Sequence, residues 1–379
     1  MTLWPSIQLG DICTPVERYT KPVPGLSYRQ LGIRLWGEGA YEREKIDGSE
    51  TKYAKFNRIE SDDLVVNKIW ARNGAVALAT SEQAGTYVSP EFPTFILDQK
   101  QIDPQWMKLI TKWRGFWALC DQKAQGTSGK NRIKPNEFLS IRIPLPSLTE
   151  QQIIVDRIND VALKSKKLEE HLIAIERDAE HLLAIRFHDA IAGAQLRSME
   201  EIAPLIRREQ LIDLNGMYPE LGIRSFGKGT FHKPALAGTD VGTKRLYRIE
   251  PGDLLFSNVF AWEGAIAVAR AEDSGRFGSH RFISCEVNKN IVEAEFLRYY
   301  FLTTEGLLKI NEASPGGAGR NRTLGLKKLM AIKVPVPEST EQEKFRRLQI
   351  KIDLLKARHS AIREANSSLL PAMLERIFI

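Results

Sequence analysis

The sequence predicts an α+β chain built twice from the same parts. Two similar mixed α/β blocks are each followed by a long helix, and the helices pair as an antiparallel coiled coil about a pseudo-two-fold axis. Three observations predict this: an internal repeat, short apolar runs bounded by turn residues, and heptad-spaced apolar positions in long segments rich in helix formers.

The repeat is nearly gapless. Tyr28 matches Tyr218, and Leu31, Gly32, Ile33 and Arg34 match Leu221, Gly222, Ile223 and Arg224. Gly37 and Gly39 match Gly227 and Gly229. Arg58, Ile59, Glu60, Asp63 and Leu64 match Arg248, Ile249, Glu250, Asp253 and Leu254. The same register carries Ala71, Gly74, Ala75 and Ala77 onto Ala261, Gly264, Ala265 and Ala267, and Asn131 and Arg132 onto Asn321 and Arg322. After one inserted residue, Pro144, Pro146, Thr149, Glu150 and Gln151 match Pro335, Pro337, Thr340, Glu341 and Gln342. Chance does not produce so many identities in one register.

Residues 1–148 form the first block. The segment from Pro104 has helical spacing, and a strand closes the block before Pro144 and Pro146, because proline stops pairing and fixes an extended exit. Residues 149–197 form the central helix. Thr149 is its expected cap, with Glu150 in the first turn where the helix dipole favours an anion. Its apolar seam runs Ile154, Ile158, Val161, Ser165, Leu168, Leu172, Ile175, Ala179, Leu182. About 40 uninterrupted residues at ~1.5 Å each make a rod of roughly 60 Å. Residues 198–337 form the second block. Here the runs at 253–258 and 264–269 read as buried strands, and Ala294–Leu302 as a helix. Residues 338–379 form the distal helix, with Thr340 as expected cap. Its seam runs Leu348, Ile352, Leu355, His359, Ile362, Asn366, Leu369, Met373, and His359 and Asn366 read as register-setting positions. A rod with one apolar stripe needs a partner, and the other copy is in the same chain.

The formal charge of +7 is unevenly placed. The first block carries +4, residues 203–337 carry +5, and the remaining segments are slightly acidic. Basic blocks suit a polyanion, and an acidic, apolar rod suits protein partners. Three widely separated cysteines exclude a disulfide framework and a Cys-based zinc module and fit a reducing cytoplasm. No apolar run reaches the ~18–20 residues of a membrane helix, and no signal peptide is visible. The phosphate loop, the dinucleotide fingerprint, zinc-hydrolase signatures and the nucleophile elbow are all missing from the sequence. Without a placed nucleophile, base or metal the chain reads as a binding protein, with no cofactor or metal of its own.

Two segments could read a polyanion. One is the Gly-rich stretch with Lys130, Asn131 and Arg132, and its counterpart with Arg320, Asn321 and Arg322. Bare N–H groups and Arg or Lys there suit phosphate, Arg suits guanine and Asn adenine. The alternative is a solvated surface loop. The other is the turn between the apolar runs, where a repeated Gly and Ala framework holds divergent tips: Lys68, Arg72 and Asn73 in one copy, Asn258, Trp262 and Glu263 in the other. His280 and Arg281 diverge likewise from Pro90 and Glu91. A shared scaffold with different tips is what two readers of different base sequences show; drift on a surface turn is the alternative.

Two divergent blocks, each closed by Pro-x-Pro-x-x-Thr-Glu-Gln leading into a long helix, resemble the specificity subunits of type I restriction–modification systems. The segments at 143–152, 334–343 and 252–257 carry the resemblance, with Leu370–Arg376 resembling the end of that family's distal helix. The first copy departs from it, with Ser61, Asp62 and Asp63 where the second has Pro251, Gly252 and Asp253. The resemblance implies a non-catalytic subunit with two target recognition domains, each reading one half of a bipartite double-stranded DNA sequence across a spacer set by the helices. It implies docking of two methyltransferase subunits, which use S-adenosylmethionine, and of ATP- and Mg-dependent restriction subunits. Ile158, Leu168, Leu172, Ile352, Leu355 and Ile362 are the helix positions expected to serve partners. A coiled-coil scaffold, or a stand-alone DNA-modifying enzyme with an unrecognised site, is the rival reading.

Overall fold

The computed structural model describes residues 4–124, 131–316 and 322–378. They form two compact units. The first takes the chain up to Ile173 and again from Arg358; the second is Ala174–Ala357.

In the first unit a four-stranded antiparallel sheet has the order Cys13–Pro15, Thr94–Leu97, Leu64–Val66, Val76–Leu78. A five-stranded sheet has the order Tyr19–Thr20, Phe56–Arg58, Tyr87–Val88, Ser27–Ile33, Ala40–Asp47, with one parallel pairing between Gln30 and Tyr87. Ser6–Gln8 pairs with the closing strand Arg142–Pro144. The second unit repeats each sheet in the same order. Leu205–Ile206, Phe282–Cys285, Leu254–Ser257 and Ile266–Val268 form the first, and Glu209–Gln210, Leu246–Arg248, Phe277–Ser279, Met217–Ile223 and Thr230–Ala237 the second. Gln195–Ser198 pairs with Lys333–Val336.

The apolar runs are continuous because their sheet is covered on both faces. Leu64 and Val66 enter the main core of their unit, with Trp106, Phe116 and Phe138, while Val65 between them enters a second core with Leu31, Ile59 and Ala77. Leu254 and Phe256 likewise face one core and Leu255 another.

Several repeated motifs are now explained by contact. Gly32 and Gly222 lie under the rings of Tyr41 and Phe231, where a Cβ would come within 2.7 and 2.2 Å. The arginine two residues on covers the same ring, Arg34 over Tyr41 at 5.1 Å and Arg224 over Phe231 at 5.0 Å. Asp63 and Asp253 are buried and bind Arg18 and Arg208 through two hydrogen bonds each, the shorter at 2.6 Å. Each also accepts the backbone N–H of Glu60 or Glu250. These side-chain bonds, with the carboxylate charges, raise the pKa of each guanidinium above its ordinary value.

The central helix is Leu148–Ile191 and the distal helix Ser339–Phe378. Both begin before the expected threonine. Ser147 caps the central helix: Glu150 N donates to its Oγ at 3.4 Å, and Ser147 N donates to Glu150 Oε2 at 3.1 Å. This reciprocal box displaces Thr149 into the first turn. The distal helix continues through Pro371.

Within each unit a stretch of one long helix runs antiparallel to a stretch of the other. In the first unit, Asn366 Nδ2 donates to Ser165 O at 3.3 Å and Arg363 binds Glu169 at 2.8 Å. In the second, Lys356 binds Glu180, and Phe187 meets Phe345 with ring centroids 5.3 Å apart. The seam differs from a strict heptad. Leu168, Ile175 and Leu182 are exposed, and so are Ile362 and Leu369. The buried side has moved by one position, to Leu183 and Phe187 on one helix and to Leu374 and Phe378 on the other. A straight helix of 3.6 residues per turn drifts against a 3.5 repeat, and packing on the heads selects the drifted face.

Candidate nucleic-acid interface

In both units one end of the covered sheet gathers segments far apart in sequence. The turn after the strand Leu64–Val66 is a single 3₁₀ turn, Ala71–Asn73, closed by Gly74 in the left-handed conformation. Its counterpart is Ala261–Glu263, closed by Gly264. The repeated Ala and Gly are therefore geometric: Ala71 and Ala261 are buried under the turn, and the glycine supplies a positive φ without strain.

Three more segments meet this turn. Lys68 N donates to Glu91 O at 3.2 Å, and Asn258 N to Arg281 O at 2.8 Å. Ile133 N donates to Lys68 O at 2.9 Å, and Leu324 N to Asn258 O at 2.8 Å. The tip of the long hairpin between Ser27–Ile33 and Ala40–Asp47 comes over the turn from the other side. Trp36 N donates to Asn73 O at 2.7 Å, and Phe226 N to Glu263 O at 2.9 Å.

The polar side chains singled out in the sequence therefore converge within each unit. In the first, Lys68 Nζ donates to Pro90 O at 2.7 Å, Arg132 lies 3.5 Å from Glu91, and Arg72 lies 4.0 Å from Asp121. Asn73 and Asn131 are half-buried beside them. In the second, Trp262 Nε1 donates to Val259 O at 3.0 Å, and the Arg322 guanidinium covers the Trp262 ring at 5.5 Å. Arg322 also donates to Asn311 Oδ1 at 3.2 Å, and His280 and Arg281 are exposed at the adjoining strand end. Lys130, Arg320 and Asn321 lie outside the described residues.

Beside the turn of the first unit is a cleft of about 690 Å³ lined by Trp36, Arg72, Lys112, Arg114, Trp117 and Pro371, among others. Burial, then the charge of Lys108, pushes the Lys112 ammonium below its ordinary range. The second unit has Leu302 and Thr304 in place of Lys112 and Arg114, so its corresponding surface is less basic.

Sequence reasoning missed the hairpin tip. Trp36 and Phe226 occupy the same place in the two copies, both exposed and both at a φ near +60°. The signal was present as an aromatic residue before each repeated Gly-x-Gly. Of the helix positions expected to serve partners, Ile158, Leu172 and Ile352 are buried within their own units, Leu355 is half-buried, and Leu168 and Ile362 are exposed.

Among the described residues no group of three or more His, Cys, Asp or Glu is placed to hold a metal, and no helix is long and apolar enough to cross a membrane. The interface presents amide, guanidinium, ammonium and aromatic groups, with the carboxylates of Glu91 and Asp121 beside Arg132 and Arg72.

Comparison with known proteins agrees with the fold. Residues 1–177 match the family model of the type I restriction modification DNA specificity domain. Among solved structures, the chain resembles the HsdS subunit from Thermoanaerobacter tengcongensis, with a TM-score of 0.63 and 18% identity over 99% of this chain and 96% of that one. It also resembles a chain from a study of complex assembly and conformational transition of the type I R-M system, with a TM-score of 0.62 and 17% identity over 99% and 95%. No curated protein matches the chain.

Proposed function

We infer that this chain is a specificity subunit of a type I restriction–modification system and that it reads a bipartite DNA sequence with its two heads, one half-site each; the match of residues 1–177 to that family's DNA specificity domain and the shared fold support this. The observation that carries this reading is the same scaffold presenting different tips in the two units. Backbone bonds from Lys68 and Asn258, Ile133 and Leu324, and Trp36 and Phe226 are equivalent, while the side chains carried on that frame differ. A fixed frame with exchanged side chains sets position through phosphate contacts and specificity through base-edge contacts. Lys68, Arg72, Asn73, Asn131 and Arg132 serve one half-site; Asn258, Trp262, His280, Arg281 and Arg322 serve the other. Lys130, Arg320 and Asn321 extend the two sets.

In this reading the paired helices set the spacer and carry partners. Exposed apolar residues on the helices, including Leu168 and Ile362, are the docking surface for two methyltransferase subunits. The chain supplies no catalysis. S-adenosylmethionine is used by the methyltransferase subunits, and ATP with Mg by the restriction subunits, in the cytoplasm.

The test is an exchange of residues 203–337 for the corresponding block of another specificity subunit. One half-site of the recognised sequence is expected to change and the other to persist. A change in both halves, or in neither, contradicts the modular reading.

A further inference from the structure

The hairpin tips carry a feature that packing within the heads does not explain. Trp36 has a φ of 60° and Phe226 a φ of 61°. Positive φ strains a bulky L-residue and costs glycine nothing. The tip needs that conformation, because the bonds from Trp36 N to Asn73 O and from Gly37 N to Gly74 O, repeated at Phe226 and Gly227, lay it on the turn. Glycine or asparagine would satisfy the backbone, yet each copy places an aromatic ring there. The rings do not repay the strain by burial, since Trp36 is 56% exposed and Phe226 74% exposed.

Each ring has a cation beside it. Lys112 and Arg114 share the cleft with Trp36, and neither has a hydrogen-bond or ion-pair partner among the described residues. Lys228 Nζ lies 5.9 Å from the centre of the Phe226 ring. Trp36 rests against Trp117 with centroids 5.9 Å apart, and Trp117 is held by its bond to Thr111 O. An exposed aromatic ring beside cations, lying on the turn that carries the polar tips, fits a polyanion that has flat apolar faces inside it. Strain held at an exposed position in both copies marks a functional contact.

We propose that Trp36 and Phe226 are wedges, each entering the base stack of the bound duplex at one step of its half-site. Insertion of an apolar side chain unstacks a step and bends the duplex, bringing more phosphate onto the adjoining cations. The inference rests on the DNA-reading function above and adds to it a positioning residue in each head.

The experiment uses the full-length chain and a duplex recovered by selection from a random-sequence library. Trp36→Gly and Phe226→Gly are expected to fold with an unchanged or raised thermal midpoint, while affinity for the selected duplex falls about tenfold or more. Phe226→Asn, also at ease at positive φ, is expected to behave alike and guards against an effect peculiar to glycine. 2-Aminopurine scanned through the half-site is expected to brighten at one step with the parent chain and to stay dark with Phe226→Gly. Undiminished affinity and uniform darkness in the parent complex overturn the wedge, as does a loss confined to capture of a methyltransferase subunit, which would assign the rings to protein docking. If the parent chain selects no bipartite duplex, the reading beneath fails, and the wedge with it.

Discussion

Gln151 Nε2 donates to the Pro146 carbonyl at 2.9 Å, and its counterpart Gln342 donates to Pro337 at 2.8 Å. The same amides donate to Gln101 O and Ile291 O, and their oxygens accept from Asp103 N and Glu293 N. Both glutamines are buried. Each ties three segments together: the proline exit, the start of a helix in the head, and the first turn of a long helix. The Pro-x-Pro-x-x-Thr-Glu-Gln signature is thus a joint between head and stalk. Gln151→Leu or Gln342→Leu leaves buried partners unpaired and is expected to cost about 2–3 kcal/mol. Urea unfolding of each variant checks this; a cost below a few tenths of a kcal/mol contradicts the joint.

Asp273 makes the second unit more sensitive to acid at one point. Burial is the largest influence on its carboxyl and pushes the pKa up. Hydrogen bonds from Arg270 N, His232 and Thr230, with the Arg270 charge, outweigh it and hold the group below its ordinary range. A depressed folded pKa means the stabilisation is complete above about pH 4 and is lost as pH falls through the folded value. The first unit has Gln83 there, bonding Thr80 N and Ala40 O, which does not titrate. Hydrogen exchange below pH 4 is expected to loosen the hairpin around Thr230 before the one around Ala40. Asp273→Gln should remove the difference.

Cys13, Cys120 and Cys285 are buried free thiols. Burial pushes Cys13 and Cys285 up to about 12, and Cys120 higher still. Thiolate is the reactive form. A maleimide or disulfide reagent at pH 8 is expected to label none of them in the folded chain and all of them in denaturant.

Asp62 has a φ of 63° at the place where the second copy has Gly252 with a φ of 94°. Aspartate tolerates the left-handed region better than most residues but not freely. Asp62→Gly is expected to leave binding unchanged and to stabilise the first unit by about 0.5–1 kcal/mol, read as a rise in the denaturation midpoint.

Much of this architecture was legible in the sequence. The repeat aligned the paired sheets strand for strand, and the runs at Leu64 and Leu254 announced strands covered on both faces. The start of the central helix was misplaced because the serine before Leu148 competes for the cap and wins through its reciprocal bonds with Glu150. The seam was misread past Leu168 because a heptad template ignores the drift of a 3.6-residue helix and the pull of each head on Phe187 or Phe378. Lys68, Asn131 and Arg132 could be singled out, but their meeting depends on backbone bonds across the chain, such as Ile133 N to Lys68 O. Trp36 and Phe226 escaped notice because backbone conformation, not residue type, makes them unusual.

Methylation mapping of DNA from cells carrying this chain together with the methyltransferase proposed as its partner tests the central claim most directly. The account predicts modified adenines within two short specific sequences separated by a spacer of constant length and no specificity. Methylation within one contiguous sequence, or at half-sites whose separation varies from copy to copy, would contradict it.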